Sequence, residues 1–265
     1  MLSRILLILI LSLLATKIHS QVNIMGKPGY INTPSAEWME QKPVGFSFAH
    51  LPGAYSMFGN ELTTVNFYNA RAAFTSFFEV NLSVAHRPAR AEINRLGVGD
   101  RQLDFRFRIL KEKKYTPSIV LGWTPPGSAA PYLAHDYLVL TKNFETSIGK
   151  LQISSGYGSP YVFIKKPNSE SFLDFEVQRK SDSRLKANYL TGFFAGLKYQ
   201  PVTWGGLLAE YDSNTINAGA YIQPWEWLNL QGHTYEGREF AFSAAVNFSL
   251  DFLPKTLRSY EKVRD

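Results

Sequence analysis

Few side chains in this sequence could do chemistry, and their spacing argues against most of it. Beyond residue 20 lie four histidines, His50, His86, His135 and His233. None has the four-residue spacing by which two imidazoles on one helix face ligate a metal, and no cysteine offers a thiolate. Neither a metal site nor another cofactor is expected. His135 and Asp136 are adjacent, and on a strand adjacent side chains leave by opposite faces, which denies them a His–Asp pair on one side of a wall. Gly158-Ser159 lacks the strand–turn–helix context of a nucleophile elbow. Gly26-Lys27-Pro28-Gly29 lacks the spacing of a phosphate loop. A catalytic centre is therefore not expected, although one assembled across strands would leave little local signature.

Charge patterning says more. Asp104, Arg106 and Arg108 alternate with Leu103, Phe105, Phe107 and Ile109, which puts the charges on one face of a strand and the apolar residues on the other. Such a row is expected to seek carboxylates on other strands, with Glu79 and Glu210 as candidates. It would act either as an ion-pair network filling a narrow interior or as a polar surface for a glycan. A second group, Arg87, Arg90, Arg95 and Arg101 against Glu92 and Asp100, occupies the segment 87–101. There it could hold anionic polysaccharide or lipopolysaccharide phosphate through charge-assisted hydrogen bonds, or simply be solvated. The wider balance is mild: setting Arg4 and Lys17 aside with the N-terminal segment, 26 of the 28 basic side chains remain against 22 acidic ones. No nucleic-acid partner is implied.

The elements that must position these residues are strands. In Glu239 to Asp251 one face reads Phe240, Phe242, Ala244, Val246, Phe248 and Leu250; the other carries small or polar residues. Phe78, Val80, Leu82 and Val84 alternate in the same way with Glu79, Asn81, Ser83 and Ala85. A helix would need apolar residues at three-and-four spacing. The reading yields about twelve strands: 44–50, 61–70, 76–86, 102–110, 117–124, 133–142, 147–157, 188–199, 203–211, 215–222, 227–235 and 239–250. Many have the length of a tilted membrane-spanning strand. The even connections are short and several odd ones are long (87–101, 125–132, 158–187), as in barrels with short periplasmic turns and long outer loops. A soluble β-sandwich is the competing fold. A further alternating stretch, Leu173 to Gln178, could pair with Tyr161 to Lys165 and raise the count to fourteen. Trp123, Trp204, Trp225, Trp227, Tyr211 and Tyr221 suit interfacial girdles.

The expected fold is thus all-β, an antiparallel up-and-down transmembrane barrel. The N-terminus has the layout of a secretory signal peptide: Arg4, an apolar run from Ile5 to Ala15, then Ile18-His19-Ser20 before Gln21. That run is too short to span a bilayer as a helix. The expected organisation is a signal peptide at 1–20, a periplasmic or plug-like segment at 21–43, the barrel at 44–252 and a charged tail at 253–265. With no cysteine, a lipidated N-terminus is excluded.

An ordered series of short motifs also resembles a known family. The series begins with Gly29-Tyr30-Ile31-Asn32-Thr33-Pro34-Ser35-Ala36 and continues with Asp104 to Leu110, Pro117 to Trp123 and Tyr137 to Lys142. Ile148-Gly149, Gly156-Tyr157-Gly158 and Leu208 to Asp212 complete it. Together they are similar to the YjbH-type family of Gram-negative outer-membrane proteins. The resemblance implies an outer-membrane barrel that serves, without catalysis, in production, export or anchoring of an exopolysaccharide. Its partners would be outer-membrane lipid, the exopolysaccharide itself and other export or biosynthesis proteins. The alternatives are a porin-like diffusion channel and a barrel enzyme acting on lipid or glycan.

Overall fold

The computed structural model describes residues 21–55, 64–88, 99–128, 133–166, 174–182 and 190–249. Twelve of its strands close into one antiparallel barrel. The first half comprises β1 (Val44–Leu51), β2 (Val65–Ala73), β3 (Phe78–His86), β4 (Asp100–Leu110), β5 (Ser118–Trp123), β6 (Tyr137–Thr146) and β7 (Gly149–Gly158). After a separate hairpin, β8 (Tyr161–Lys165) and β9 (Phe175–Arg179), come β10 (Gly192–Val202), β11 (Gly205–Tyr211), β12 (Ile216–Trp225), β13 (Leu228–Tyr235) and β14 (Glu239–Phe248). Sequential neighbours pair, β10 joins β7, and β1 pairs with β14, Phe46 opposite Val246, to close the wall. The fourteen-strand alternative is corrected here: β8 and β9 do pair, but as a two-stranded sheet of their own within the connection from β7 to β10.

The period-two pattern sets the faces. Glu79, Asn81, Ser83 and Ala85 are buried, whereas Leu82 of the same strand is exposed. Phe46, Tyr68, Leu121, Leu138, Ile153, Leu197, Leu207, Leu230 and Phe242 are likewise exposed from their strands. Outward side chains therefore form an apolar surface around the barrel. Charge on this face is sparse: Lys142, midway along β6, reaches Glu112 in the β4–β5 turn at 2.8 Å. Trp225 and Trp227 stack at 5.6 Å beside the β12–β13 turn, and Trp204 is exposed in the β10–β11 turn. Tyr221 does not belong to this fringe. It is buried with Tyr30, Ile31, Leu208 and Tyr235, because residue 221 falls in the inward register of β12.

The turns lie later than the sequence pattern suggests. Three of the connections near the barrel's short-turn end have only two residues, 147–148, 203–204 and 226–227, a favoured hairpin length. Positions 143–146, 200–202 and 223–225, each opening on an Asn or Gln, look like loop but continue their strands, with Asn143 opposite Gln152 and Trp225 opposite Leu228. The opening Asn or Gln misleads there because Asn143, Gln200 and Gln223 are inward positions, polar while the strand still continues.

Candidate functional site in the barrel lumen

The lumen is filled by the chain's own lead segment. Residues 21–36 are all buried, folded over two isolated bridges, Val22 to Pro28 and Gly29 to Pro34. No alternation runs through this stretch; side chains hold it. Asn23 Oδ1 accepts the amides of Met25 and Lys27, and its Nδ2 donates to the Asn32 carbonyl, so one asparagine closes the turn. Gly26 sits at φ +73° against the Asn69 side chain, where a Cβ would lie 2.5 Å from Asn69 Cβ. Tyr30 lies on Gly196, where a Cβ would stand 2.3 Å from its ring, and its hydroxyl meets Ser154 Oγ at 2.7 Å. Ile24 and Met25 join a buried apolar cluster that includes Val65 and Phe67 of β2.

The wall's inward charges are spent on this segment and on one another. Glu79 lies between two cations, 2.5 Å from Arg106 Nη1 and 3.1 Å from Arg71 Nη1, all three fully buried. Arg106 Nη2 also donates to the Ser35 carbonyl at 2.7 Å. Asp104 pairs with Lys27 of the segment at 2.5 Å, and Arg108 with Glu40 at 2.7 Å. Glu79 thus meets the β4 row, but Glu210 does not. It accepts the amides of Ile31, Asn32 and Thr33, the Thr33 hydroxyl and Asn217 Nδ2, all at 2.8–3.0 Å. A carboxylate facing clustered backbone N–H groups needs no guanidinium partner. Lys27, Asn32 and Thr33 were not legible as functional positions, since nothing in their spacing ties them to strands more than 75 residues away.

The remaining candidates are dispersed. Arg87 pairs with Asp100 at 2.9 Å, and Arg101 is exposed on β4, one residue into the strand. Arg90, Arg95 and Glu92 lie outside the described residues. His135 and Asp136 precede β6 rather than lie on it. Asp136 Oδ1 accepts the Thr124 amide at 2.8 Å, while His135 stacks on Tyr137 at 4.3 Å. Burial first, then the charges of Lys27 and Lys180, holds the His135 pKa well below the usual histidine value. Nearby Lys180 is itself pushed down to about 8 by burial, against the pull of Asp136.

A family model, YjbH, described as exopolysaccharide biosynthesis protein YbjH, matches residues 21–264. The chain belongs to the YjbH family. No curated protein matches it. The span matched to YjbH takes in both the lead segment and the barrel, and the motif from Gly29 to Ala36 is the part of the segment that contacts Glu210, Ser154 and Arg106.

At the short-turn end the YjbH barrel keeps a mouth, a cavity of about 390 Å³ walled by the descending segment 36–42 and by β4, β6, β12 and β14. Trp38 stands in it with the Arg108 guanidinium 5.2 Å over its ring, and Glu40 holds Arg108 and Lys111. Partial burial alone would raise the Glu40 pKa, but hydrogen bonds and charge from those two cations outweigh it and hold the carboxyl below its usual range. A depressed folded pKa contributes stability above the unfolded value and loses it as pH falls through the folded value. Glu40 is too exposed for that to be a large energy, but the ring should report it. Acidification below the usual carboxylate range should change Trp38 emission, read as wild type minus Trp38→Phe. Glu40→Gln should remove the step; an identical step in that variant would assign it elsewhere.

Proposed function

We propose that this protein is an outer-membrane barrel that serves in the production, export or anchoring of an exopolysaccharide as a non-enzymatic component. The observation that carries the reading is the pairing of an apolar outer face with a lumen sealed by a family-matched segment. An apolar face around a closed wall suits lipid, where an arginine at mid-depth would cost about 2–4 kcal/mol. A lumen filled by residues 21–36 favours a closed scaffold over a diffusion pore. Its working surfaces are then the mouth at the short-turn end and the outer connections, where a glycan or a partner export protein could dock. Residues 1–20 act in this reading as a secretion signal removed on export, and the short-turn end faces the periplasm.

The test has two parts in a Gram-negative host that makes exopolysaccharide. Isolated outer membranes should contain the chain as a band whose migration shifts on boiling, and deletion of its gene should lower surface polysaccharide until the gene is restored. A soluble chain with no shift would remove the membrane assignment. Unchanged polysaccharide after deletion would remove the exopolysaccharide role.

A further inference from the structure

We infer that the mouth cavity is a binding site for a neutral saccharide, entered from the short-turn end and closed at its inner end by the lead segment. The inference rests on the exopolysaccharide reading for its biological sense and on geometry for its chemistry. Its volume, about 390 Å³, falls within the roughly 300–1,000 Å³ of small-molecule sites. Such sites join apolar wall to a few fixed polar groups, and this one joins the Trp38 ring to Glu37, Asn143, Gln223 and Asn247.

Two of these walls carry unspent acceptors. Glu37 uses Oε2 on Lys198 and Gln152, both at 3.2 Å, while its Oε1 is buried without a hydrogen-bond partner. Gln223, 8% exposed, likewise leaves its Oε1 buried and unpartnered. A buried acceptor without a donor is costly, and both line the same cavity. Each suits a ligand rich in hydroxyl groups, which donate and accept at once. The indole offers an apolar plane for the C–H face of a sugar ring.

Charge argues for a neutral ligand. Lys42, Arg108 and Lys111 line the mouth with Glu37, Glu40, Glu112 and Glu226, so neither sign dominates. The cations are already engaged: Arg108 and Lys111 with Glu40, and Lys42 with the Glu226 carbonyl. An anionic ligand would have to break these contacts. Because residues 21–36 fill the lumen beyond, the site holds a sugar rather than passing it.

The experiment titrates the full chain, refolded in vesicles, with maltose and cellobiose, followed by tryptophan emission and by saturation-transfer NMR. Saturable binding of at least one disaccharide at millimolar or lower concentration is expected. Gln223→Met, which keeps the volume and removes the acceptor, should weaken it at least tenfold with the boiling shift intact. Asn143→Trp, which fills the mouth, should abolish it. No saturable binding of either sugar, or binding indifferent to both substitutions, would overturn the site. If binding fails while deletion of the gene still lowers polysaccharide, only the site falls. If binding holds while deletion changes nothing, the site stands and the exopolysaccharide role falls.

Discussion

Replacing Glu79 by leucine, with Arg71 and Arg106 retained, should cost the folded barrel about 3–5 kcal/mol, the scale for breaking a buried ion pair from one side. The carboxylate is the shared counter-ion of two guanidinium groups with side-chain exposures of 0–1%. Once it is gone, two like charges flank β3 with no counter-ion between them, Arg71 on β2 opposite Asn81 and Arg106 on β4 opposite the substituted position. Neither can move to water, because Ser35 and Glu37 carbonyls hold Arg106 from the lumen side and Lys42 and Asn247 hold Arg71. Urea unfolding in vesicles, scored by the folded band on unboiled gels, measures the loss. Neutralising the trio together, with methionine at Arg71 and Arg106, should recover part of it, since a buried charged cluster is often no more stable than an apolar one. A loss under about 1 kcal/mol for Glu79→Leu would put the trio on a par with a solvated surface pair and overturn the argument.

The same trio shows what the sequence made legible. Arg106 and Arg108 could be assigned to the inside from alternation alone, because a charge every second residue beside phenylalanines leaves no other side for lipid. All twelve barrel strands fall within the windows that alternation marked or a few residues from them. β2 alternates poorly for a reason visible only in three dimensions. Its inward Val65 and Phe67 are apolar because they belong to the buried apolar cluster that Ile24 and Met25 of the lead segment complete. The lead segment itself was opaque, since it is held by single side chains such as Asn23 and by contacts with distant strands, and neither produces a period. Glu210 illustrates the limit. A buried carboxylate announces that it needs donors, but whether they come from arginines or from amides depends on which segment reaches it. The Gly29 to Ala36 motif was readable as a family resemblance before it could be read as the segment that reaches Glu210.

Glu210→Gln should loosen that segment without disturbing the wall, the second large effect expected. The five donors converging on the carboxylate divide between its oxygens: Asn32 N and Asn217 Nδ2 on Oε1, Ile31 N, Thr33 N and Thr33 Oγ1 on Oε2. Glutamine is nearly isosteric, yet one of its two terminal atoms is an NH2 group that only donates. Whichever way the amide turns, it sets donor against donor on one side and leaves at least two groups without an acceptor. Each hydrogen bond to a charged group is worth about 1.5–3 kcal/mol, so the turn at 31–33 should lose about 3 kcal/mol or more. At 1.4 kcal/mol per tenfold, this is on the order of a hundredfold in the local opening constant. Hydrogen exchange at Ile31, Asn32 and Thr33 reads it directly, while amides of β13 and β14 should exchange as in the parent. The segment also stops the lumen, so planar-bilayer recordings should find the parent closed and Glu210→Gln conducting intermittently. The wall strands on either side do not depend on this contact, since Glu210 itself pairs through its backbone with Gly196 and Asn217. Unchanged exchange at all three amides would mean that Tyr30 on Gly196 and Lys27 on Asp104 hold the segment without Glu210, and the carboxylate would lose the role assigned to it.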